Sequence, residues 1–226
     1  MMTQEVQDVA AEYGEDSPEW AWTQSEFGDL LYTVGHAERS IEFFRRAASV
    51  PARDDEARRN QLSYRMNVGN ALRRAGRLDE AEAELRRGAE ERLAFYGREH
   101  PGYAFGLEPL ASLLLQRGDA RQAATVAGEA VDNLRRNEHE RLNDLLVLRA
   151  VALHAAGEPP FPDFDELPDN VVEEVAELMA DQSHDPALLS ALADALAARL
   201  GPDHRLTRAS LPASDLGGLE ARHAQS

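Results

Sequence analysis

Val68–Gly76 reads VGNALRRAG, and the same nine-position cassette returns at Phe27–Gly35 (FGDLLYTVG), Leu110–Gly118 (LASLLLQRG) and Arg149–Gly157 (RAVALHAAG). The closing glycines Gly35, Gly76, Gly118 and Gly157 stand 41, 42 and 39 residues apart. An interval of this size belongs to helical-hairpin arrays, in which each unit buries its apolar face only by stacking on the next. Each of the first three glycines is followed by a short polar turn and a stretch with apolar residues at steps of three and four. After Gly76 these are Leu78, Ala81, Leu85, Ala89 and Leu93; after Gly118, Ala123, Ala127, Ala130 and Leu134; after Gly35, Ile41, Phe44, Ala47 and Ala48. That periodicity predicts a second helix with one buried face. Glycine suits the link because it takes a left-handed backbone without steric penalty. Small residues at Ser40, Ala81 and Ala123, each five after its glycine, let the second helix approach the first closely.

Aligned by these glycines, the first unit gives Phe27, Gly28, Leu31, Gly35, Ser40, Phe44 and Ala47. The second gives Val68, Gly69, Leu72, Gly76, Ala81, Leu85 and Gly88, and the third Leu110, Ala111, Leu114, Gly118, Ala123, Ala127 and Ala130. This order of large, small, large, turn glycine and small residues resembles the tetratricopeptide repeat (TPR). The period near 42 exceeds the roughly 34 of the ordinary repeat. With the linker YGREHPGY at Tyr96–Tyr103, repeated as LGPDHRLT at Leu200–Thr207, it is similar to the kinesin-light-chain-like subtype. In that linker His100 reads as a helix cap and Pro101 as a first-turn proline. The resemblance spans residues 18–157, and more weakly 185–207. It implies an all-α fold: a TPR-like right-handed superhelix of antiparallel helical hairpins with C-terminal capping helices.

The expected organisation begins with an acidic N-terminal segment at 1–16. A TPR-like array follows over 17–157, with units of about 18–51, 52–97, 98–137 and a partial unit at 138–157. The fourth unit departs from the pattern after Gly157, where EPPFPDFDELPDN carries prolines at 159, 160, 162 and 168. Proline cannot donate within a helix and clashes with the preceding turn. Residues 158–168 therefore read as a Pro-rich acidic loop, 169–211 as capping helices near 169–181 and 185–200, and 212–226 as a flexible tail.

The charge is unevenly placed: the net is −17, and residues 1–38 hold nine carboxylates with no Lys or Arg. Residues 39–149 hold 20 Arg against 18 acids, and residues 150–198 hold 11 acids and no base. Both acidic ends repel nucleic acid and anionic lipid, so neither nucleic acid nor membrane is an expected partner. No basic start precedes a long apolar run, and no apolar stretch approaches the ~20 residues that span a bilayer. A cytoplasmic protein is the expectation. There is no cysteine, so disulfides and thiolate zinc sites are excluded. There is no lysine either, which removes Schiff-base and phosphate-loop lysine chemistry.

No catalytic signature is found: G-x-S-x-G, the phosphate loop and a strand followed by G-x-G-x-x-G are all missing. HERLN at His139–Asn143 lacks the second histidine of a zinc protease, and the seven histidines never fall in metal-ligand spacing. The expectation is a non-enzyme without metal or cofactor.

The resemblance implies that the first helix of each hairpin lines a concave groove. Carried over residue by residue, the groove set is Trp22, Glu26, Asp29 and Thr33 in unit one, and Ser63, Asn67, Asn70 and Arg74 in unit two. Unit three supplies Phe105, Glu108, Ser112 and Gln116, and the fourth unit Arg149. Asn67 and Asn70 share one helix face, and an amide can both donate to and accept from a peptide backbone. Arg73, Arg74 and Arg77 read either as a clamp for a partner carboxylate or as a helix C-terminal cluster paired with Asp79, Glu80 or Glu82. Of Trp20 and Trp22, at least one is expected to pack against its neighbours, and the other, if exposed, to anchor a partner. The acidic stretch 1–29 reads as a solvated face or, alternatively, an arm lying beside the central arginines. The expected function is a non-catalytic interaction module or adaptor that binds a peptide or protein segment of another protein. Alternatives are a self-associating or structural scaffold subunit using the array edges and cap, and a degenerate hydrolase or signalling domain within 158–226.

Overall fold

In the computed structural model the described residues are 2–202 and 204–210, and every regular element among them is an α-helix. The tail at 212–226 lies outside them. The chain divides into two compact units, meeting in sequence between Gly118 and Asp119. The first holds α1 (Met2–Tyr13), α2 (Pro18–Thr33), α3 (Ala37–Ser49), α4 (Asp55–Arg74), α5 (Leu78–Tyr96) and α6 (Pro101–Arg117). The second holds α7 (Ala120–Arg136), α8 (Leu142–Ala155), α9 (Asp169–Gln182), α10 (Pro186–Leu200) and α11 (Arg205–Ala209).

In the first unit α2 and α3 form one hairpin and α4 and α5 the next, with each helix also packed on its successor as far as α6. The first helices touch one another in turn, α2 on α4 and α4 on α6. Each turn is built the same way. Gly35 and Gly76 have φ of 88° and 80°, and the residue after each donates back five positions, His36 to Leu31 and Arg77 to Leu72. This is the Schellman arrangement, which satisfies carbonyls left over at a helix end. Gly157 repeats it in the second unit, with φ of 75° and Glu158 donating to Leu153. The linker glycines Gly97 and Gly201 share a different conformation, with φ, ψ of 80°, 162° and 99°, 155°. That region is essentially closed to residues with a Cβ. Beyond Gly97, His100 caps α6 by accepting from the Gly102 N–H at 2.9 Å, with Pro101 in the first turn.

The small residues at the hairpin crossing account for the packing. Ser40 and Ala81 are wholly buried. A Cβ at Gly28 would lie 2.6 Å from the Phe44 ring, so α2 and α3 meet there through a missing side chain. Leu62, Leu72 and Leu85 are fully enclosed between α4, α5 and their neighbours, each contributing on the order of 2 kcal/mol of hydrophobic stabilisation.

Helix α1 falls in the acidic N-terminal segment. Its Val9 and Ala10 pack on a cluster of Trp20, Ala21, Ala47, Val50 and Tyr64, so this segment is docked on the start of the array.

In the second unit α7 packs on α8, α8 on α9, and α9 with α10 and α11. Helix α8 starts at Leu142, after a turn in which Glu138 adopts φ of 49° and the His139 ring accepts from the Arg141 N–H. The Pro-rich stretch 158–168 has turns but no helix, and it is anchored. Phe164 and Leu167 are buried, and Phe161 lies against Phe164 with ring centroids 4.7 Å apart. Asp163 receives Arg135 of α7 at 2.8 Å and Arg149 of α8 at 2.5 Å. Where the repeat pattern would place a second helix, this chain uses an aromatic plug held by one carboxylate between two guanidinium groups.

Candidate functional site

Trp22, Glu26, Asp29 and Thr33 follow one another along a stripe of α2, and all four are exposed. Ser17 starts that helix by accepting from the Trp20 N–H, and Pro18 occupies its first turn, which fixes the register. Trp20 is 8% exposed and belongs to the core, whereas Trp22 is 59% exposed. On α4 the corresponding stripe is Ser63, Asn67, Asn70 and Arg74, with Ser63 and Arg74 exposed and both asparagines half-buried. On α6, Phe105, Glu108 and Ser112 are half-buried and Gln116 is exposed.

Contacts between neighbouring first helices tie the three stripes together. The Arg74 guanidinium lies over the Tyr32 ring, 4.7 Å from its centroid, joining α4 to α2. Arg73 donates to the Gln116 side chain at 3.4 Å, joining α4 to α6. Arg77 binds Glu80 and Glu38 instead of a ligand-facing group, and the hydrogen-bonded Glu80 raises the Arg77 pKa while its own is lowered. The arginine cluster is thus divided: Arg77 is used within the chain, and Arg73 and Arg74 remain on the first-helix face.

Asn67 and Asn70 differ from these. Among the described residues neither amide side chain has a hydrogen-bond partner within the chain. Glu26 and Asp29 likewise have no cation of this chain within salt-bridge distance among the described residues. Although it reaches solvent, Asp29 is partly desolvated by its neighbours, and this, followed by the Glu26 charge, pushes its carboxyl above the usual range, against a hydrogen bond from Ser25. Burial, followed by Glu26 and Asp29, pushes the Tyr64 phenol up as well, which places Tyr64 in the field of the same two carboxylates. Tyr32, lying under Arg74, is a member of this face that the groove register omitted, whereas Tyr64 is buried with Trp20, Ala21, Ala47 and Val50. Tyr32 stands one position beside Thr33 of that register, and its aromatic type was the available signal.

Beneath the face runs Arg92 of α5, buried, which donates to the Gly102 carbonyl at 3.1 Å and to the Ser63 hydroxyl at 3.3 Å. Desolvation lowers its pKa. It braces α4 and α6 from below. Arg149 belongs to the second unit, where Asp163 engages its guanidinium.

The second unit has a concavity of about 510 Å³ lined by Val147, Val151, Met179 and Leu188, with the His154–Asp185 pair at 3.1 Å on its rim. Asp185 also caps α10 through the Ala187 and Leu188 N–H groups, which lowers its pKa. No group of three metal-ligating side chains converges among the described residues. No helix among them is long and apolar enough to cross a membrane.

No protein-family model matches the chain, and no curated protein does. Solved structures do. The kinesin light chain nearly identical TPR-like repeats from Podosopora anserina superpose with a TM-score of 0.60 at 17% identity, covering 93% of this chain and 99% of that one. BtubC (BKLC) from P. vanneervenii gives 0.60 at 15% identity, covering 99% and 88%. The apo form of RapI gives 0.58 at 10% identity, covering 91% and 85%. With the glycine-closed hairpins and their close-packed crossings, these likenesses show that the chain has the TPR-like, all-α helical-repeat fold, similar to that of kinesin-light-chain-like repeats.

Proposed function

We propose that the chain is a non-catalytic interaction module, acting in the cytoplasm, that holds a segment of another protein along the first-helix face of α2, α4 and α6. The observation that carries this reading is the pair Asn67 and Asn70. Their amides stand on the middle helix, half-exposed and without partners among the described residues. An amide in that position can donate to and accept from the backbone of an extended or helical guest. Trp22 supplies an aromatic anchor at one side, and Arg74, set over Tyr32, a positioned cation. Recognition of an acidic C-terminal tail by a lysine clamp is not supported, because the chain has no lysine. A pull-down from the native host, comparing wild type with Asn67→Ala/Asn70→Ala/Arg74→Ala, tests the reading. Loss of one or more partners by a folded triple variant is expected; identical partner lists would remove the groove from the account.

A further inference from the structure

We propose that the exposed side of α2 that carries Trp22, Glu26 and Asp29, with Leu30 and the C-cap residue Val34 along its flank, is a docking surface for a basic amphipathic helix of a partner protein. The shape of the occupant follows from the repeat itself. Helix α4 packs on α3, and its stripe Gln61, Tyr64, Val68 and Ala71, continued by the C-cap Ala75, begins at that seam: Gln61 donates to the Ala48 and Val50 carbonyls, and Tyr64 shares a buried cluster with Ala47 and Val50. Counting back from the closing glycines, the matching stripe on α2 is Trp20, Thr23, Phe27, Leu30 and Val34. Its first part is covered: Trp20 belongs to the buried cluster on which Val9 and Ala10 of α1 pack. Its last part is open, Leu30 being 48% and Val34 58% exposed, whereas Ala71 at the Leu30 position of α4 is fully buried. The site left open is one that a helix fills one repeat further on.

The charge of the occupant follows from what surrounds the opening. Glu26 and Asp29 lie on the same helix without a cationic partner among the described residues, and residues 1–38 carry nine carboxylates and no Lys or Arg. A second copy of this chain would bring the same acidic face against this one, and like charges set opposite each other disfavour that pairing. A helix with apolar residues on one face and Arg or Lys beside them meets both the exposed side chains and the uncompensated carboxylates. Trp22 and Val34 are twelve residues apart, so the surface runs about 18 Å along α2, enough for three turns of such a helix.

The proposal shares Trp22, Glu26 and Asp29 with the groove reading but does not need the α4 amides, so the two can fail separately. The experiment is a titration of a labelled amphipathic 18-residue Leu–Lys peptide, followed by anisotropy and by the emission of Trp22. A Leu–Glu peptide of the same pattern is the control. Wild type is expected to bind the basic peptide with a blue shift of Trp22 and to ignore the acidic one. Leu30→Gln/Val34→Gln removes the apolar contact without adding charge and is expected to weaken binding by about tenfold or more. Glu26→Gln/Asp29→Asn is expected to weaken it by roughly three- to tenfold. Asn67→Ala/Asn70→Ala/Arg74→Ala is expected to leave it within about twofold. Circular dichroism verifies that each variant folds. Absence of binding, equal binding of both peptides, or full affinity in Leu30→Gln/Val34→Gln overturns the proposal. Loss only in the α4 variant overturns it too and leaves the groove reading standing. So does a concentration-dependent dimer, seen by sedimentation, that Leu30→Gln/Val34→Gln abolishes, since the occupant would then be a second copy.

Discussion

Replacing Gly28 by alanine adds one methyl group at the closest crossing of α2 and α3. An ideal Cβ there sits 2.6 and 2.7 Å from two carbons of the Phe44 ring, whereas carbon atoms rest at about 3.5–4.0 Å. Ring or helix must therefore give way by roughly 1 Å, and Phe44 is 1% exposed, so its ring has nowhere to swing. Overpacking of this kind costs about 1–3 kcal/mol. Exchanging glycine for alanine within a helix returns up to about 1 kcal/mol. The expected net is a loss of about 1–2 kcal/mol. Gly88→Ala is the internal control: its Cβ would meet the Met66 sulfur, the soft part of an unbranched side chain that can change rotamer, and the expected change is within about 1 kcal/mol. Urea unfolding followed by tryptophan emission suits the test, because both tryptophans lie on α2. A Gly28→Ala protein as stable as wild type, or more stable, refutes the reasoning, since α2 and α3 would not be pressed together through that glycine.

Asp163→Ala removes the carboxylate between Arg135 and Arg149 and is expected to cost about 1–3 kcal/mol; limited proteolysis should then cut within 158–168 much faster than in wild type, and an unchanged cleavage rate counts against the anchored loop. Gln24 is fully buried and its amide has no protein partner among the described residues, so Gln24→Met is expected to stabilise by about 1–2 kcal/mol in a thermal melt, and a loss of stability would show that the amide is used. Asp29 has a folded-state pKa raised by burial and then by Glu26, so the folded protein holds its proton more tightly than the unfolded chain. Stability therefore falls as pH rises through that window. Asp29→Asn is expected to raise the melting temperature modestly at pH 7 and to lose the advantage below about pH 4, whereas a gain of equal size at both pH values contradicts the assignment.

The repeating part of the fold was legible because one physical demand recurs. Each hairpin needs a left-handed residue after its first helix and a small residue where the helices cross. Gly35 and Gly76, with Ser40 and Ala81, meet those demands at fixed offsets, and Gly157 closes α8 with the same left-handed turn although no second helix follows it directly. The linker was legible for the same reason: Gly97 and Gly201 adopt one backbone conformation that few other residues could take. What escaped the reading has no period. Helix α1 carries little apolar surface of its own and is placed by Val9 and Ala10 meeting a cluster drawn from three later helices. In the Pro-rich stretch the prolines excluded a helix, but Asp163 as an anchor depends on arginines 28 and 14 residues earlier, a pairing that local spacing does not reveal. On the candidate face, position along the helix identified a stripe. It did not distinguish Arg77, consumed by Glu38 and Glu80, from Arg74, nor did it reveal that Tyr32 shares the surface.

The central claim is that a segment of another polypeptide lies along α2, α4 and α6. Site-specific photo-crosslinking in the native host tests it directly, with the reactive side chain placed at Asn67 on the first-helix face or at Glu90, exposed on α5. The account expects a discrete crosslinked partner from position 67, competed by unlabelled partner, and little from position 90. Crosslinks of equal yield at both positions, or a partner captured only from position 90, would contradict it.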